Sequence, residues 1–436
     1  SRAETPLRRP PALMNVPGFF DFTGGDEESL PGGVIRVNTD DDIQAAIDRL
    51  HAAGGGKILL GPGLHSYDRP LQLKSNIILE GVDPQDVVLR NTHAIGPRRS
   101  HTAFAIGVHH PAFATPGRPD PQYTRVAYDT VEKGETSLTL TAGTARPRVG
   151  ALVLAQSQRH SRTGYARPVA PKVHQWVQLV RVLAVDDNVV TIDEPIVADY
   201  SVGWLMWPED IVLPQLAGLP VYFAENVIIR DLTIHGHFYR GYNGSRNILI
   251  ENIYNIPGKT TMAQRGHANT HGMIVNLFYR STLRRNYIKY RLRGLELKGG
   301  SSMSLIVNNI FEYQPIPQFI IGKAENNLFN RPHWATGEAA HDISYVGNNV
   351  LIPAFPNPKA QWPPLNLEQR GGAVIGNRFE VQKGGVRGPF VRLPDGDHAV
   401  GGMIFAGNTY DVETGERLRC LERACEGLRI ADETWR

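Results

Sequence analysis

Cysteine is nearly absent from this chain, which has only Cys420 and Cys425 among its 436 residues. Two cysteines exclude a small fold held together by disulfides, and they exclude a zinc module built on cysteine ligands. The two residues are close in sequence, so they can close a short loop if the protein is exported. Two unpaired thiols are the alternative, and the sequence leaves both open.

Long apolar runs and a strong net charge are also missing. No stretch of about eighteen apolar residues occurs, so no transmembrane helix is predicted. The 46 basic and 43 acidic residues leave a net charge of +3, which by itself is too small to indicate nucleic-acid binding. With 41% hydrophobic residues, the chain is not a disordered one. We therefore expect neither a membrane nor nucleic acid as a partner.

The first residues do not form a secretory leader. Ser1 is followed by no charged segment that leads into an apolar one. This is expected of a secreted protein after processing and also of a trimmed chain. We predict a secreted or periplasmic protein.

A capping helix and very short strands are predicted after residue 32. Asp42 and the two Asp residues before it supply an N-cap and first-turn acids. The apolar residues that follow recur at helical spacing on one face: Ile43, Ala46, Ile47 and Leu50. Three glycines end the helix, and short strands follow. A helix in this place predicts a cap over the open end of a β-solenoid.

This segment resembles a known superfamily. The residues TDDDIQAAIDRLHAAGGGKILLGPGLHSY and LQLKSNIILEGV are similar to the N-terminal entry of the pectate-lyase-like, right-handed parallel β-helix superfamily. The resemblance implies that the chain folds as a right-handed parallel β-helix and that it acts on carbohydrate. It does not imply one reaction, because lyases, glycoside hydrolases, uronate epimerases and phage tailspikes share this fold.

Seven later segments share one pattern, in which apolar alternation reaches a polar residue and then resumes. The polar residues are Asp231, Asn252, Asn286, Asn309, Asn349, Asn377 and Asn408. Their spacings, 21 to 40 residues, are typical of the coils of a β-solenoid. Asn and Asp tolerate a left-handed backbone, so we expect these residues at the sharp turn between two strands of a coil.

We predict one elongated all-β molecule, a right-handed parallel β-helix (solenoid) with an N-terminal capping helix and an inserted small β subdomain. Hairpin patterns with a tight turn at Asp187-Asn188 indicate the insertion. The predicted parts are an N-terminal arm at 1–32, the helical cap and first coils at 33–125, the inserted subdomain at 126–200, the main parallel β-helix at 201–414, and a loose or helical tail at 415–436.

Charge is uneven along the main β-helix. Between Leu232 and His341 there are thirteen Lys and Arg residues, five Glu and no Asp. A positive groove attracts an anionic ligand, and the resemblance implies a polysaccharide. We therefore expect an acidic polysaccharide or oligosaccharide as the substrate, with a solvated basic surface as the alternative.

The missing Asp bears on the reaction. Within the superfamily that the chain resembles, polygalacturonase-like hydrolases carry clustered Asp and calcium-dependent pectate lyases carry an acidic calcium nest, and this window contains neither. β-Elimination instead needs a cation for the uronate carboxylate, a base for the C5 proton and an acid for the leaving oxygen. We predict a secreted polysaccharide lyase without a required cofactor, although a bound divalent cation stays open.

The catalytic residues are predicted from the strand RGLELK. Leu295 and Leu297 are expected to point inward, which leaves Arg293, Glu296 and Lys298 to project outward. The predicted roles are Lys298 as the base, Glu296 as its partner and Arg293 as the group that neutralises the carboxylate. An ordinary surface ion pair is the alternative for Glu296 and Lys298.

Neighbouring coils are expected to complete this groove. Aligning HGMIVN one coil earlier places His271 over Arg293 and Asn276 over Lys298. His271 would then be the acid or a second base. Aligning QFIIGKAE one coil later brings Lys323 nearby.

Histidines in IHGHFYRGY and RGHANTH form a second cluster, in which His235 and His237 are expected on one strand face. With His267 and His271 they could hold a metal, but no carboxylate or cysteine accompanies them at a diagnostic spacing. We expect a polar groove lining instead of a metal site. The predicted substrate-binding residues are His235, His237, Tyr239, Arg240, His267, Asn276 and Lys323.

Three other functions stay open at this point. A glycoside hydrolase or glycan transferase of the same fold would use Glu296 with Glu325 or Glu251. A uronate epimerase would share the proton abstraction of the lyase. A non-catalytic glycan-binding or tailspike-like protein would need none of these residues. The sugar, the linkage and the oligomeric state are not determined by the sequence.

Overall fold

The computed structural model is almost entirely β-structure. It describes residues 30–92, 102–106, 123–129, 131–157, 177–196, 203–208, 211–213, 219–221, 223–239, 245–256, 271–276, 278–290, 293–298, 303–313, 334–341, 343–352, 365–381, 389–393, 402–411, 416–420 and 427–435. Most of the predicted N-terminal arm therefore lies outside the described residues.

Helix α1 (Ile43–Ala52) caps the first coil, as predicted. The Asp42 carboxylate accepts a hydrogen bond from the Ala45 backbone N–H at 3.0 Å, which begins the helix. The four apolar residues expected on one face are all buried. Ile47 and Leu50 pack on the first strands of the core, so the helix covers the open end of the β-helix.

Three parallel sheets, named A, B and C here, run the length of the molecule. Sheet A contains Val34–Val37, Gly56–Leu60, Ile77–Gly81, the first parts of Ala224–His235 and Ser245–Ile256, Phe278–Tyr279, Thr282–Arg284, Leu305–Val307, Ser344–Val346, Ala373–Ile375, Ile404–Ala406 and Arg429–Ala431. Sheet B contains Gly63–Tyr67, Val87–Asn91, the last parts of the same two long strands, Tyr287–Tyr290, Ile310–Tyr313, Asn349–Ile352, Arg378–Val381, Thr409–Asp411 and Thr434–Trp435.

Sheet C is formed by two parallel ladders. The first contains Leu71–Leu73, Thr102–Ile106 and His237–Tyr239, and the second contains His271–Asn276, Arg293–Lys298, Trp334–His341, Leu365–Arg370, Pro389–Leu393 and Glu416–Cys420. Each coil passes from A to B to C and then to the next coil of A, and the inward side chains form one continuous core. The chain is thus a right-handed parallel β-helix.

The corner between sheets A and B carries a column of stacked asparagines inside the molecule. Asn286, Asn309, Asn348, Asn377 and Asn408 are fully buried or nearly so. The side-chain oxygen of each member accepts from the backbone N–H and the side-chain N–H of the member before it, at 2.8–3.0 Å. At the C-terminal end, Glu433 accepts from Asn408 in the same way.

The predicted use of these residues is correct for two of them and needs correction for the others. Asp231 and Asn252 have φ of 58° and 50°, as expected of turn residues in the left-handed region. In later coils the left-handed position is the residue just before the buried asparagine: Arg285, Asn308, Gly347, Gly376 and Gly407. The prediction of Asn349 is wrong, because Asn348 occupies the column and Asn349 is the exposed first residue of its strand.

The insertion is an antiparallel sheet, named D here, between the third and fourth coils. Its strands in spatial order are Tyr123–Tyr128, Gly203–Pro208, Leu152–Ser157, Val177–Asp186, Val189–Ile192 and Ser137–Thr139. The hairpin expected at Asp187-Asn188 is present, and Asp187 has φ of 50°. The strands extend slightly beyond 126–200 at both ends. A short hairpin, Ile211–Leu213 with Leu219–Val221, follows.

The C-terminal segment is not the loose or helical tail that the sequence predicts. Glu416–Cys420 pairs with Pro389–Leu393 in sheet C. Arg429–Ala431 then adds a last strand to sheet A, and Thr434–Trp435 adds one to sheet B. The tail is a further coil, in which Leu418, Cys420, Leu428 and Trp435 are partly buried and pack against the core, whereas Arg429–Ala431 is exposed. Cys420 is disulfide-bonded, and Cys425 is the one other cysteine of the chain.

Candidate functional site

The predicted catalytic residues lie on two adjacent strands of sheet C. His271–Asn276 pairs in parallel with Arg293–Lys298, so that His271 is opposite Arg293 and Asn276 is opposite Lys298. Ile274 is opposite Glu296. This is the alignment that the sequence predicts. It brings the backbone of these residues within the spacing of neighbouring strands, about 4.8 Å.

Alternation along Arg293–Lys298 divides its residues between the inner and the outer face of sheet C. Leu295 and Leu297 are 1% and 0% exposed and belong to the core, as predicted. Positions 296 and 298 therefore lie on the outer face of sheet C. Arg293 has the same parity as Leu295, so alternation assigns it to the inner face at the start of the strand, and the expectation that it shares the face of Glu296 needs correction.

The strand on the other side of Arg293–Lys298 is not the predicted one. Trp334–His341 occupies that place, with Ala335 opposite Glu296 and Thr336 opposite Leu297. The alignment of QFIIGKAE with this strand is therefore wrong, because residues 314–333 intervene between sheets B and C in this coil. Lys323 lies outside the described residues.

The predicted face shared by His235 and His237 is also wrong. His235 ends a strand of sheet B, opposite Arg90 and Ile256. His237 begins a strand of sheet C, opposite Thr102, and Tyr239 is opposite Phe104. Gly236, with φ of 115°, makes the corner that separates the two histidines.

The remaining residues of the second cluster are only partly described. Arg240 and His267 lie outside the described residues. Among the residues that the structure describes, no group of three His, Cys, Asp or Glu side chains is arranged to hold a metal ion. Whether the histidines line a groove stays a prediction.

The basic residues of the 232–341 window do not all face one groove. In five of the thirteen the side chain is described, and each of these five forms an ion pair with a carboxylate. These residues are Arg246, Arg280, Arg284, Arg285 and Lys289. Several of the carboxylates come from residues before the window, which the charge count along the sequence did not include. The local excess of positive charge is therefore smaller than the sequence suggests.

Glu251 is unsuited to the hydrolytic role that the sequence left open for it. It lies in sheet A, away from Glu296 in sheet C, and is 5% exposed. Arg284 donates to both of its carboxylate oxygens, at 2.9 and 3.2 Å, and Arg285 also pairs with it. A carboxylate held by two guanidinium groups is fixed as a structural anion.

No protein-family model matches the chain, and no curated protein matches it. Among solved structures it is similar to a tailspike of Pseudomonas phage phi297 (12% identity, TM-score 0.39, covering 89% of this chain and 73% of that one). It is similar to the tailspike of Acinetobacter baumannii bacteriophage AP22 in complex with capsular saccharide (11%, 0.41, covering 90% and 66%). A third is the A-module of an Azotobacter vinelandii mannuronan C-5 epimerase (13%, 0.32, covering 92% and 96%). The fold assignment rests on the strand pairing of the chain itself.

A network of charges joins sheet D to the corner at which the coils pass from sheet C to sheet A, and no local pattern in the sequence predicts it. Three arginines alternate with three carboxylates: Arg181, Arg246 and Arg280 with Asp193, Glu194 and Glu225. Glu194 accepts from the Tyr279 hydroxyl at 3.0 Å and pairs with Arg280 at 3.0 Å. Burial raises the pKa of Glu194, and the neighbouring arginines and the Tyr279 hydrogen bond partly oppose this.

The chemistry of this network differs from that of the outer face of sheet C. The network is balanced in charge, and its partners come from segments far apart in sequence, so it holds the insertion against the coils. Removing one partner would leave a buried charge unpaired. Positions 296 and 298 instead lie, by alternation with the buried Leu295 and Leu297, on the outer face of sheet C.

Proposed function

We propose that the protein is an exported enzyme that acts on a polysaccharide and cleaves an acidic, uronate-containing chain by β-elimination on the outer face of sheet C. The observation that supports this most is the register of His271–Asn276 with Arg293–Lys298. It gives the positions of Asn276, Glu296 and Lys298 adjacent places on one face, so an amide, an acid and an amine are available to one sugar unit.

The proposed reaction assigns a role to each residue. Lys298, held by Glu296, removes the C5 proton of the uronate. The electron pair of the C5–H bond forms the C4–C5 double bond, and the C4–O bond breaks. His271 gives a proton to the leaving oxygen, and Arg293 neutralises the carboxylate, which makes the C5 proton more acidic. Arg293 and His271 are opposite each other at the starts of the two strands, and we assign them these roles on the sequence argument alone.

Substrate binding is proposed for the polar residues around these strands. Asn276 is opposite Lys298, and Tyr239 and His237 lie on a strand of the first ladder of sheet C. His235 lies at the end of the neighbouring strand of sheet B. We keep Arg240, His267 and Lys323 as proposed contacts on the sequence argument alone.

Export is supported by the disulfide at Cys420. Disulfides form and persist in secreted and periplasmic proteins, whereas thiols in the cytosol are kept reduced. Within the described residues, no helix is long and apolar enough to cross a membrane.

The test is turnover of a panel of uronate and neutral polysaccharides, followed by ultraviolet absorbance of unsaturated uronyl ends and, in parallel, by reducing ends. We expect both signals to rise together on an acidic polysaccharide. Lys298→Ala should lower kcat by about 10²- to 10⁴-fold, the contribution typical of a positioned base. Lys289→Ala is the matched control, because this lysine lies on sheet B and pairs with Glu312 at 3.0 Å.

Other outcomes would contradict elimination and favour a named alternative. Reducing ends without absorbance, abolished by Glu296→Gln but not by Lys298→Ala, would indicate hydrolysis. A change in uronate composition without any cleavage would indicate epimerisation. Binding of the polymer with neither change would indicate a non-catalytic glycan-binding protein.

A further inference from the structure

A second candidate binding site lies in a cleft between sheet D and the corner at which the coils pass from sheet C to sheet A. The cleft has a volume of about 750 Å³, within the roughly 300–1,000 Å³ usual for small-molecule sites. Sheet D and its loops contribute Arg146, Arg148, Arg181 and Trp207. The coils contribute Phe223 and Glu225.

The floor of the cleft has no net charge. Glu225 is 7% exposed and pairs with Arg181. It also accepts from Arg246, at 2.9 Å, and Arg246 pairs in turn with Asp193 at 2.7 Å, so two arginines are balanced by two carboxylates. Arg181 donates in addition to the Gly150 carbonyl. Burial is the main reason that the pKa of Arg181 is lowered, and the charge of Arg246 lowers it further. These groups satisfy one another, so they shape the cleft without attracting a charged ligand.

The wall of the cleft carries positive charge that is not compensated in this way. Arg146 donates to the Thr144 and Asp187 carbonyls, which are neutral acceptors. Its nearest carboxylate, on Asp187, is 3.8 Å away on a side chain that is 90% exposed, so water screens the pair. The Arg148 side chain is exposed and makes no hydrogen bond or ion pair with the residues that the structure describes, whereas its backbone carbonyl accepts from the Ala151 N–H at 3.1 Å. Two guanidinium groups are thus available to an anion.

An aromatic surface lies beside these guanidinium groups. Trp207 is half-buried and Phe223 is 8% exposed, and both line the cleft. Apolar and aromatic walls with a few convergent polar groups are typical of sites that bind small organic ligands. A guanidinium group binds a carboxylate through two parallel hydrogen bonds. A ligand with a ring face and a carboxylate satisfies both features, which describes a sugar acid.

We propose that this cleft binds a uronate residue of the polysaccharide, as a non-catalytic site that holds the polymer while another part of it occupies sheet C. The class of ligand rests on the proposed function, and the location rests on the cleft alone. Nucleic acid also combines rings with anions, but the chain has a net charge of only +3, whereas nucleic-acid-binding domains are strongly basic.

The test measures binding of uronic-acid hexasaccharides by isothermal titration calorimetry, with a neutral gluco-hexasaccharide for comparison. A Lys298→Ala background prevents cleavage of the probe. We expect Arg146→Ala/Arg148→Ala to weaken binding of the uronate hexasaccharide at least about tenfold, because charged hydrogen bonds to the carboxylate are lost. Arg378→Ala is the matched control, since Arg378 is an exposed strand arginine of sheet B with a weak partner, Glu380, at 3.4 Å.

Four results would overturn the proposal. They are unchanged affinity in the double variant, equal binding of the neutral hexasaccharide, equal binding of a single-stranded oligonucleotide, and no binding of any uronate hexasaccharide. Circular dichroism of the double variant excludes misfolding, and Arg148→Ala alone removes a side chain that makes no described contact. If Lys298→Ala abolishes turnover but the double variant binds normally, the cleft proposal fails and the proposed function stands. The reverse pattern removes the catalytic assignment and keeps the cleft.

Discussion

Replacing Asn348 by alanine should destabilise the protein far more than replacing its neighbour Asn349. Asn348 is 0% exposed, and its side-chain amide donates to the Ile306 carbonyl and to the Asn377 side chain, both at 2.9 Å. Its oxygen accepts from the backbone and the side chain of Asn309, at 2.9 and 3.0 Å. Asn349 is exposed, so its removal breaks no buried contact.

The magnitude follows from the groups that lose a partner. Alanine at 348 leaves the Asn309 backbone N–H and one side-chain N–H of Asn309 buried and unpaired. Each unsatisfied buried donor costs about 1–3 kcal/mol, so the free energy of unfolding should fall by about 2–6 kcal/mol. Asn349→Ala should stay within about 0.5 kcal/mol of the parent protein. Asn348→Asp keeps the accepting oxygen but places a second acceptor against Asn377, so we expect it to be at least as destabilising at neutral pH.

The assay is urea-induced unfolding followed by circular dichroism. Amide hydrogen exchange at Asn309 adds a local measurement, since coils of a solenoid can open separately. We expect Asn348→Ala to lose exchange protection at Asn309 first. A loss of less than about 1 kcal/mol for Asn348→Ala, or an equal loss for Asn349→Ala, would refute the assignment of the buried column.

Two further predictions concern Glu194 and the last coil. Because the folded pKa of Glu194 is raised, the unfolded chain releases this proton first, so stability should fall as pH rises from the usual carboxyl pKa through the raised value. Glu194→Gln should remove that part of the pH dependence in unfolding measured across pH, and an unchanged profile would count against it. Trp435 stacks on Tyr410, with ring centroids 3.9 Å apart, and on Phe390 edge-on. Trp435→Ala should lower the unfolding free energy by about 2 kcal/mol, and Trp435→Phe by clearly less; equal losses would show that stacking is not the cause.

The inserted sheet D and the coils of the β-helix together form the cleft proposed as a binding site. Sheet D enters between two coils and is fixed there by the network around Arg246. The cleft at this junction therefore has one wall from each part of the chain. The ion pairs of Arg181 and Arg246 with Glu225 and Asp193 hold the floor of the cleft in position, which lowers the ordering cost of binding there.

The strongest local patterns in the sequence were sufficient for the fold and for part of the site. The helix that begins after Asp42, the alternation around Leu295 and the pairing of His271 with Arg293 all depend on periods of a few residues, which the chain specifies itself. These patterns decide which side chains face the core. They also predict a parallel β-helix, because very short strands with a polar turn at each coil have few other ways to bury their apolar faces.

Contacts between distant segments were decided by the tertiary structure alone. Residues 314–333 precede the strand Trp334–His341, which places Ala335 opposite Glu296, and a corner at Gly236 places His235 and His237 in different sheets. The count of charges in one window missed partners such as Glu194 and Glu225, which reach the coils from before it. Loop length has only a weak effect on stability and leaves little trace in local sequence pattern. Register and packing therefore determine which residues meet across coils, and local sequence patterns predict neither of them.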